Sequence, residues 1–260
     1  MKLSSEERQD LAYAKSLLEN PGLAAKLTNA MAKPIEKGFN MLPKNWAKVV
    51  NFTSRKSLQK ALEFSVLTLG KKEETRSSDF WHKAAVAATG ATGGLFGLVS
   101  IPIELPVSTI FMLRSIADIA RSEGENLDEI ETKLNCLQVF ALGGNSKNDD
   151  AAETGYYAVR LSFSKLISDA VKHVARSGAS TRGAPILVKF ISTVASRFGV
   201  VVSEKVAAMA IPAIGAFGGA MVNTIFIDHF QDMARGHFII RRLERKYGIE
   251  FVYQQYLELS

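Results

Sequence analysis

Val206-Ala207-Ala208-Met209-Ala210-Ile211-Pro212-Ala213-Ile214-Gly215-Ala216-Phe217-Gly218-Gly219-Ala220-Met221-Val222-Asn223-Thr224-Ile225-Phe226-Ile227 runs for 22 residues without a formal charge. It leads straight into Asp228-His229-Phe230-Gln231-Asp232-Met233-Ala234-Arg235-Gly236-His237, and on to Gly248, where charged and bulky apolar residues recur at helical spacing. The uncharged part has the length of a bilayer span. It is built from Ala, Gly and Ile with Pro212, however, and not from Leu and Phe. Small residues let helices approach closely. The stretch therefore reads as a tightly packed core hairpin or as a hairpin that enters a membrane, and the spacing alone leaves both open.

Upstream lies a second uncharged block, Ala84 to Ile103, with Gly90, Gly93, Gly94 and Gly97. The cluster Pro102-Ile103-Glu104-Leu105-Pro106 is expected to break the helix there. Each block has a glycine doublet, Gly93-Gly94 and Gly218-Gly219, and each continues into a helix that stops at a glycine, Gly124 or Gly248. An internal duplication of two Gly-rich helical hairpins is one reading of this likeness.

The rest of the chain has helical spacing throughout and no strand-like alternation of useful length. Ser4-Ser5-Glu6-Glu7 is a capping-box start, followed by Leu11, Ala14, Leu17 and Leu18 on one face. Leu23 to Leu42 and Trp46 to Leu69 read as two amphipathic helices, and Val107 to Ser122, Leu127 to Leu142, Tyr156 to Arg176 and Ile186 to Phe198 as further ones. The fold class is all-α, a compact multi-helix bundle. A change of composition near residue 79 divides it into basic amphipathic N-terminal helices (1–79) and a helical core (80–260).

The totals agree with a globular protein. A chain of 260 residues can bury a large core, and 47% hydrophobic with 22% charged content excludes general disorder. The single cysteine, Cys136, excludes a disulfide framework and a Cys-based zinc site, and its amphipathic surroundings mark it as a buried thiol. The N-terminus lacks the apolar stretch of a signal peptide, which gives the expectation of a cytosolic protein. No nucleophile elbow, P-loop or dinucleotide fingerprint is present, and no cofactor is expected.

The net charge of +6 is uneven: Gly22 to Lys72 alone carries +8 in 51 residues. Lys33, Lys37, Lys44, Lys48, Arg55 and Lys56 are interleaved there with Phe39, Trp46 and Phe52. Basic residues among amphipathic aromatics suit an anionic membrane surface. No nucleic-acid-binding motif accompanies them. Arg241, Arg242, Arg245 and Lys246 form a second basic group, which reads either as a complement to a helix C-terminus or as a phosphate or headgroup site.

Other candidates are isolated charges in apolar surroundings. Glu104 is the one charge between Lys83 and Arg114, so it must be paired or have a raised pKa, which would suit proton exchange. Arg114 shares a helix face with Asp118 and Arg121, or else is a buried partner for an acid such as Glu104. His237 falls on an apolar seam with Phe226, Phe230, Met233 and Ile240, as a satisfied core histidine or as an acid/base group. His229 and Asp232 make a two-ligand seed for a metal, with no recognisable metal motif around them, so no metal site is expected.

Gly-Gly-Leu-Phe-Gly (93–97), Pro-Ile-Glu-Leu-Pro (102–106), Leu-Arg-Ser-Ile-Ala-Asp-Ile-Ala (113–120) and Ala-Arg-Gly-His-Phe-Ile-Ile-Arg-Arg-Leu-Glu-Arg-Lys-Tyr-Gly (234–248) together resemble the EcsC family, bacterial proteins named for a gene neighbour of an ABC exporter. The resemblance extends over roughly Phe80 to Tyr253. It implies a helical fold and work near membranes or transporters, and it brings no established reaction. The expected function is that of a cytosolic, peripherally membrane-associated protein assisting a process such as ABC-type transport. The alternative is a hydrolase acting on lipid or peptide, with Glu104 and His237 as acid and base and Arg114 or Arg241 holding an anionic group.

Overall fold

The structure is a computed structural model and describes residues 2–19, 22–68, 97–144, 155–177, 184–211 and 215–259. Among these residues every regular element is helical, and the all-α class holds. In chain order the helices are α1 (Ser5–Glu19), α2 (Leu23–Met31), α3 (Glu36–Phe39), α4 (Trp46–Thr68), α5 (Gly97–Ser122), α6 (Ile130–Gln138) with a 3-10 turn at Val139–Ala141, α7 (Gly155–Ser177), α8 (Pro185–Met209), α9 (Gly215–Tyr247) and α10 (Ile249–Glu258).

The capping box closes as its spacing dictates. The Glu7 amide donates to Ser4 Oγ at 3.1 Å and the Ser4 amide to Glu7 Oε2 at 2.9 Å, which satisfies two of the first-turn donors of α1. The stretch from Leu23 to Leu42 is not one helix. It stops at Met31, where Ala32 turns left-handed with φ 51°, and resumes only as the single turn of α3. Pro34 lacks the amide that a continuing helix would need.

The opposite correction applies to Pro102 and Pro106. Both lie inside α5, which runs unbroken to Ser122. A proline in a helix interior costs about 3 kcal/mol in isolation. Here the cost is offset by packing: Ile101, Leu105, Met112, Leu113, Ile116, Ala117 and Ala120 are all buried along the same helix.

The uncharged block from Val206 to Ile227 is divided between two helices. α8 ends at Met209, and α9 starts at Gly215 and continues as one 33-residue helix through the whole polar motif to Tyr247. Val206, Ala207, Ala208, Ile211, Val222 and Phe226 are buried. Among the described residues one helix is long and apolar enough to cross a membrane, and it is α8, with half of its most apolar window buried. Of the first uncharged block, Ala84–Ile103, only the end from Gly97 on falls in the described residues, so the doublet Gly93-Gly94 lies outside them.

α8 sits at the centre. α2, α3, α4, α7, the 3-10 turn and α9 all pack against it, while α4 also lies along α5, and α1 along α9. One apolar core results, and it draws on both sides of the compositional boundary at residue 79: Leu11, Val50 and Leu58 join Leu113, Val202 and Phe230. α4 packs through a face of small hydroxyl residues, Thr53, Ser54, Ser57 and Ser65, set among Val50, Leu58 and Ala61. Ser57 and Ser65 turn their hydroxyls onto the carbonyls of Thr53 and Leu62, so the face is polar in composition yet partly self-satisfied.

Two glycines mark the closest approaches. A Cβ on Gly38 would lie 1.9 Å from the Ala207 carbonyl oxygen, so α3 is pressed onto the end of α8. A Cβ on Gly236 would lie 2.6 Å from Leu18 Cγ and 3.0 Å from the Ala14 carbonyl, so α1 is pressed onto α9. Around that second contact the chain ends are tied together. Arg242 reaches Asp10 at 2.5 Å, and Lys246 and Tyr247 reach Glu7 at 2.6 and 2.8 Å. Lys15 Nζ donates to the carbonyls of Tyr256 (3.2 Å) and Leu259 (2.5 Å), closing the C-terminal end of α10.

Candidate functional site

The polar groups fall into three places, and each candidate from the sequence can be assigned to one of them.

The first is the C-terminal half of α9. Glu125, in the turn after α5, has a side chain only 4% exposed. Arg241 grips it with Nε at 2.8 Å and a terminal nitrogen at 3.3 Å, Arg245 adds a further hydrogen bond, and Thr132 donates at 3.1 Å. Burial alone would raise this carboxyl, but the two arginines outweigh it and hold it below its ordinary value. Arg242 is shared between Asp10 and Glu123. Arg160 of α7 makes a two-pronged pair with Glu244, both arms at 2.5 Å. The arginines proposed from the sequence as a phosphate or headgroup site, Arg241 and Arg242, are thus already engaged by carboxylates.

His237 is completely buried beside that cluster. Its Nδ1 lies 2.9 Å from the Tyr156 hydroxyl, and its Nε2 has no hydrogen-bond partner among the described residues. Burial, with the Arg160 and Arg241 cations nearby, pushes its pKa well below the ordinary value. The same burial lifts the Tyr156 phenol to about 12. His237 is therefore a neutral imidazole inside the core.

His229, on the same helix, is also buried, close against Gly143. Gly143 has φ 71°, and a side chain there would strike the imidazole. Burial lowers the His229 pKa to about 4; Lys26 adds to the depression, and Asp232 opposes it. Asp232 itself pairs with Lys26 at 3.0 Å and with Arg235 at 3.2 Å. Among the described residues no group of three metal-ligating side chains forms, around His229 and Asp232 or elsewhere.

Both histidines bear on acid stability. A histidine whose folded pKa is depressed withdraws stability as pH falls below the unfolded value near 6.5. For His229 the loss between pH 7 and pH 5 is about 2 kcal/mol. Urea unfolding at the two pH values should show His229→Gln losing less stability than the wild type by about that amount. Equal losses would show that the imidazole is not held neutral.

The second place is the junction of α5, α8 and α9. Glu104 Oε1 accepts from Lys205 Nζ at 2.7 Å, and the ammonium stands 4.7 Å from the centroid of the Phe226 ring. Lys205 is 1% exposed, so this is a buried ion pair joining three helices. Lys205 lies 101 residues from Glu104, so no local spacing marks it as the partner. Arg114 is not the partner; it is half-buried with its guanidinium 5.0 Å from the Phe64 ring. Asp118 and Arg121 form an exposed pair at 2.9 Å. Phe226 and His237 are 11 residues apart on one straight run of α9, or roughly 16 Å along its axis. Glu104 and His237 thus stand in separate clusters.

The third place is the outer surface of α2–α4. Lys33, Lys37, Lys44, Lys48, Arg55 and Lys56 are all exposed, and none has an ion-pair partner among the described residues. On α4 the exposed positions Lys48, Phe52, Arg55, Lys56 and Gln59 form one stripe, opposite the buried face of Val50, Ser54, Leu58 and Ala61. Phe52 is 67% exposed in the middle of that stripe, with Lys56 Nζ 5.8 Å from its ring centroid. Met41, before α4, is 52% exposed. Phe39 and Trp46, by contrast, turn inward and meet with their rings 5.6 Å apart. Gly38 fixes α3 at Ala207 of α8, and Gly199 lies against Asn51 and Ser54 of α4. The basic segments are therefore seated along α8.

A family model described as the EcsC protein family matches residues 6–243. The match takes in α1 to α4 as well as the core, a wider reach toward the N-terminus than the motifs of residues 93–248 imply. No curated protein matches, and no solved structure matches.

Proposed function

We propose, from the premise that this chain belongs to the EcsC protein family, that it is a helical protein that binds the anionic inner face of the cell membrane peripherally through α2–α4 and there assists or regulates a membrane process such as ABC-type transport. The observation that carries the reading is a contrast between two groups of cations. Arg241, Arg242, Arg245 and Lys246 of α9 are each held by a carboxylate. Among the described residues Lys33, Lys37, Lys44, Lys48, Arg55 and Lys56, all exposed on the α2–α4 surface, have none, and Lys48, Arg55 and Lys56 flank an apolar ring, Phe52, that faces water.

A basic residue close to an anionic leaflet contributes about 1 kcal/mol, and the attraction decays over a Debye length. Several such residues with one inserted phenylalanine give reversible, salt-sensitive attachment, not permanent anchoring. The transport role rests on the family resemblance alone.

The test is sedimentation of the full chain with phosphatidylcholine vesicles, with and without phosphatidylserine. Binding is expected only with phosphatidylserine, and high salt should release it. The triple variant Lys48→Glu, Arg55→Glu, Lys56→Glu should lose more than about a hundredfold in apparent affinity. Those three side chains are exposed, so the fold should be unaffected. A wild-type protein that ignores phosphatidylserine vesicles at low salt would overturn the reading.

A further inference from the structure

Arg114 shows how α5 lies on α4. Its guanidinium stands 5.0 Å from the ring of Phe64 of α4. Contacts with α8 fix the direction. Gly199 of α8 lies against Asn51 and Ser54 of α4. Lys205, six residues and roughly 9 Å further along α8, holds Glu104 of α5. Ser54 is ten residues before Phe64, and Glu104 is ten residues before Arg114, roughly 15 Å in each helix. A parallel course puts Ser54 and Glu104 at one level, as their shared neighbour α8 requires. An antiparallel course would separate them by roughly 30 Å. α4 and α5 therefore run side by side in the same direction.

Side-chain spacing tells which residues line the seam between them. On α5, Ile103, Val107, Ile110 and Arg114 recur at steps of four, three and four, so they share the ridge that meets α4. On α4, Phe52, Lys56, Lys60 and Phe64 recur at steps of four along the neighbouring ridge. Ile103 is 76% exposed and Val107 is 44% exposed, at the level of Phe52 and Lys56. Pro102 is exposed as well. Lys56 and Lys60 are exposed, and neither has an ion-pair partner among the described residues. Glu104, the one acid of α5 before Asp118, is turned to Lys205 and leaves no free carboxylate on the ridge.

We infer that this two-helix face inserts into the bilayer: Ile103 and Val107 of α5 enter the leaflet beside Phe52 of α4, with Lys48, Arg55, Lys56 and Lys60 on the headgroups around them. The inference rests on the membrane reading of the α2–α4 surface and adds its apolar anchor, on a helix outside the basic segment. The basic rim selects an anionic partner. The apolar residues stand out singly from two helix surfaces with cations between them. A fluid leaflet accepts such knobs to the depth of the headgroup–acyl boundary, without the matching pockets a protein partner would need. Attachment strengthens with the apolar area buried as well as with charge. Phe52 alone is therefore a weaker anchor than Phe52 with Ile103 and Val107 beside it.

The test places a fluorescent reporter on the ridge. Cys136, the one cysteine, is buried, so an NBD label goes to the thiol introduced by Ile103→Cys. Position 103 faces water, so the label leaves the core intact. The full chain is mixed at low salt with phosphatidylcholine vesicles that contain phosphatidylserine. The emission should brighten and shift to the blue, and bromine atoms on the lipid acyl chains should quench it. The same label on Leu161→Cys of α7, a position 75% exposed, should stay in water. In sedimentation with the same vesicles, the double variant Ile103→Ser, Val107→Ser should bind at least about tenfold more weakly than the wild type and still be released by salt. Vesicle-bound protein whose label at position 103 remains in water would overturn the insertion and leave the electrostatic reading of α2–α4 standing. Absence of binding at low salt would overturn both. A blue shift that follows protein concentration without vesicles would assign the face to a second copy of the chain, and a label shielded before vesicles are added would assign it to another part of the same chain; either result overturns the insertion.

Discussion

Gly236→Val is expected to strip α1 from the body of the protein. Two effects compete at this position. A glycine in a helix interior costs about 1 kcal/mol relative to alanine, so propensity alone would favour a substitution in α9. Against this, the new Cβ would sit 3.0 Å from the Ala14 carbonyl oxygen, and a backbone atom cannot rotate away as the Leu18 side chain can. Overpacking of this kind costs about 1–3 kcal/mol while α1 remains docked. If α1 leaves instead, it gives up the burial of Leu11, Ala14 and Leu17 and its ion pairs from Asp10 and Glu7. Burying a leucine is worth about 1.5–3 kcal/mol. Either route should lower the stability by about 3 kcal/mol. Urea unfolding reads the total, and hydrogen exchange of residues 5–19 separates strain from undocking. A variant as stable as the wild type would show that the helices can move apart at no cost.

Glu125→Ala should be at least as damaging, for an electrostatic reason. Its carboxylate is the common acceptor for Arg241 and Arg245 and holds the turn after α5 against α9. Replacing the whole pair by apolar residues could be neutral, whereas removing one partner leaves cations half-buried without their counter-charge. The expected loss is about 3–5 kcal/mol. Glu125→Gln keeps an acceptor for Thr132 and one arginine contact, so its loss should be clearly smaller. Thermal unfolding of the three proteins checks the order wild type, Gln, Ala. Equal stability of the Ala variant and the wild type would mean that Glu131, 3.6 Å from Arg241, takes over the role.

What could be read from the sequence follows the range of each interaction. The capping box at Ser4–Glu7 and the helical run to Tyr247 depend on residues a few positions apart, so spacing was enough. Pro34 ended a helix as a local rule requires, yet Pro102 and Pro106 did not, because α4 and α9 hold α5 together from outside. No local rule contains those neighbours. Partners were the least legible feature. Glu104 had to have one, but nothing near it in sequence indicated Lys205. The two basic groups looked alike as strings of residues. They differ because α1 and the turn at Glu123–Glu125 bring carboxylates to α9, whereas nothing described brings them to α4. The burial of His237 followed from its place on the apolar seam. Its contact with Tyr156, 81 residues away, did not.

The ties between α1 and the end of the chain also set an order of events during synthesis. Asp10 and its partner Arg242 are 232 residues apart, and Lys15 waits still longer for the carbonyl of Leu259. At about 5–20 residues per second, a ribosome needs roughly 10–50 s to make the helix on which α1 rests. For that interval α1 carries Leu11, Ala14 and Leu17 with no surface to cover them, while α4 and α5 can already pair. α1, made before every other described helix, is thus among the last of them to be placed, and a nascent chain of this protein presents an uncovered apolar helix until α9 has been made.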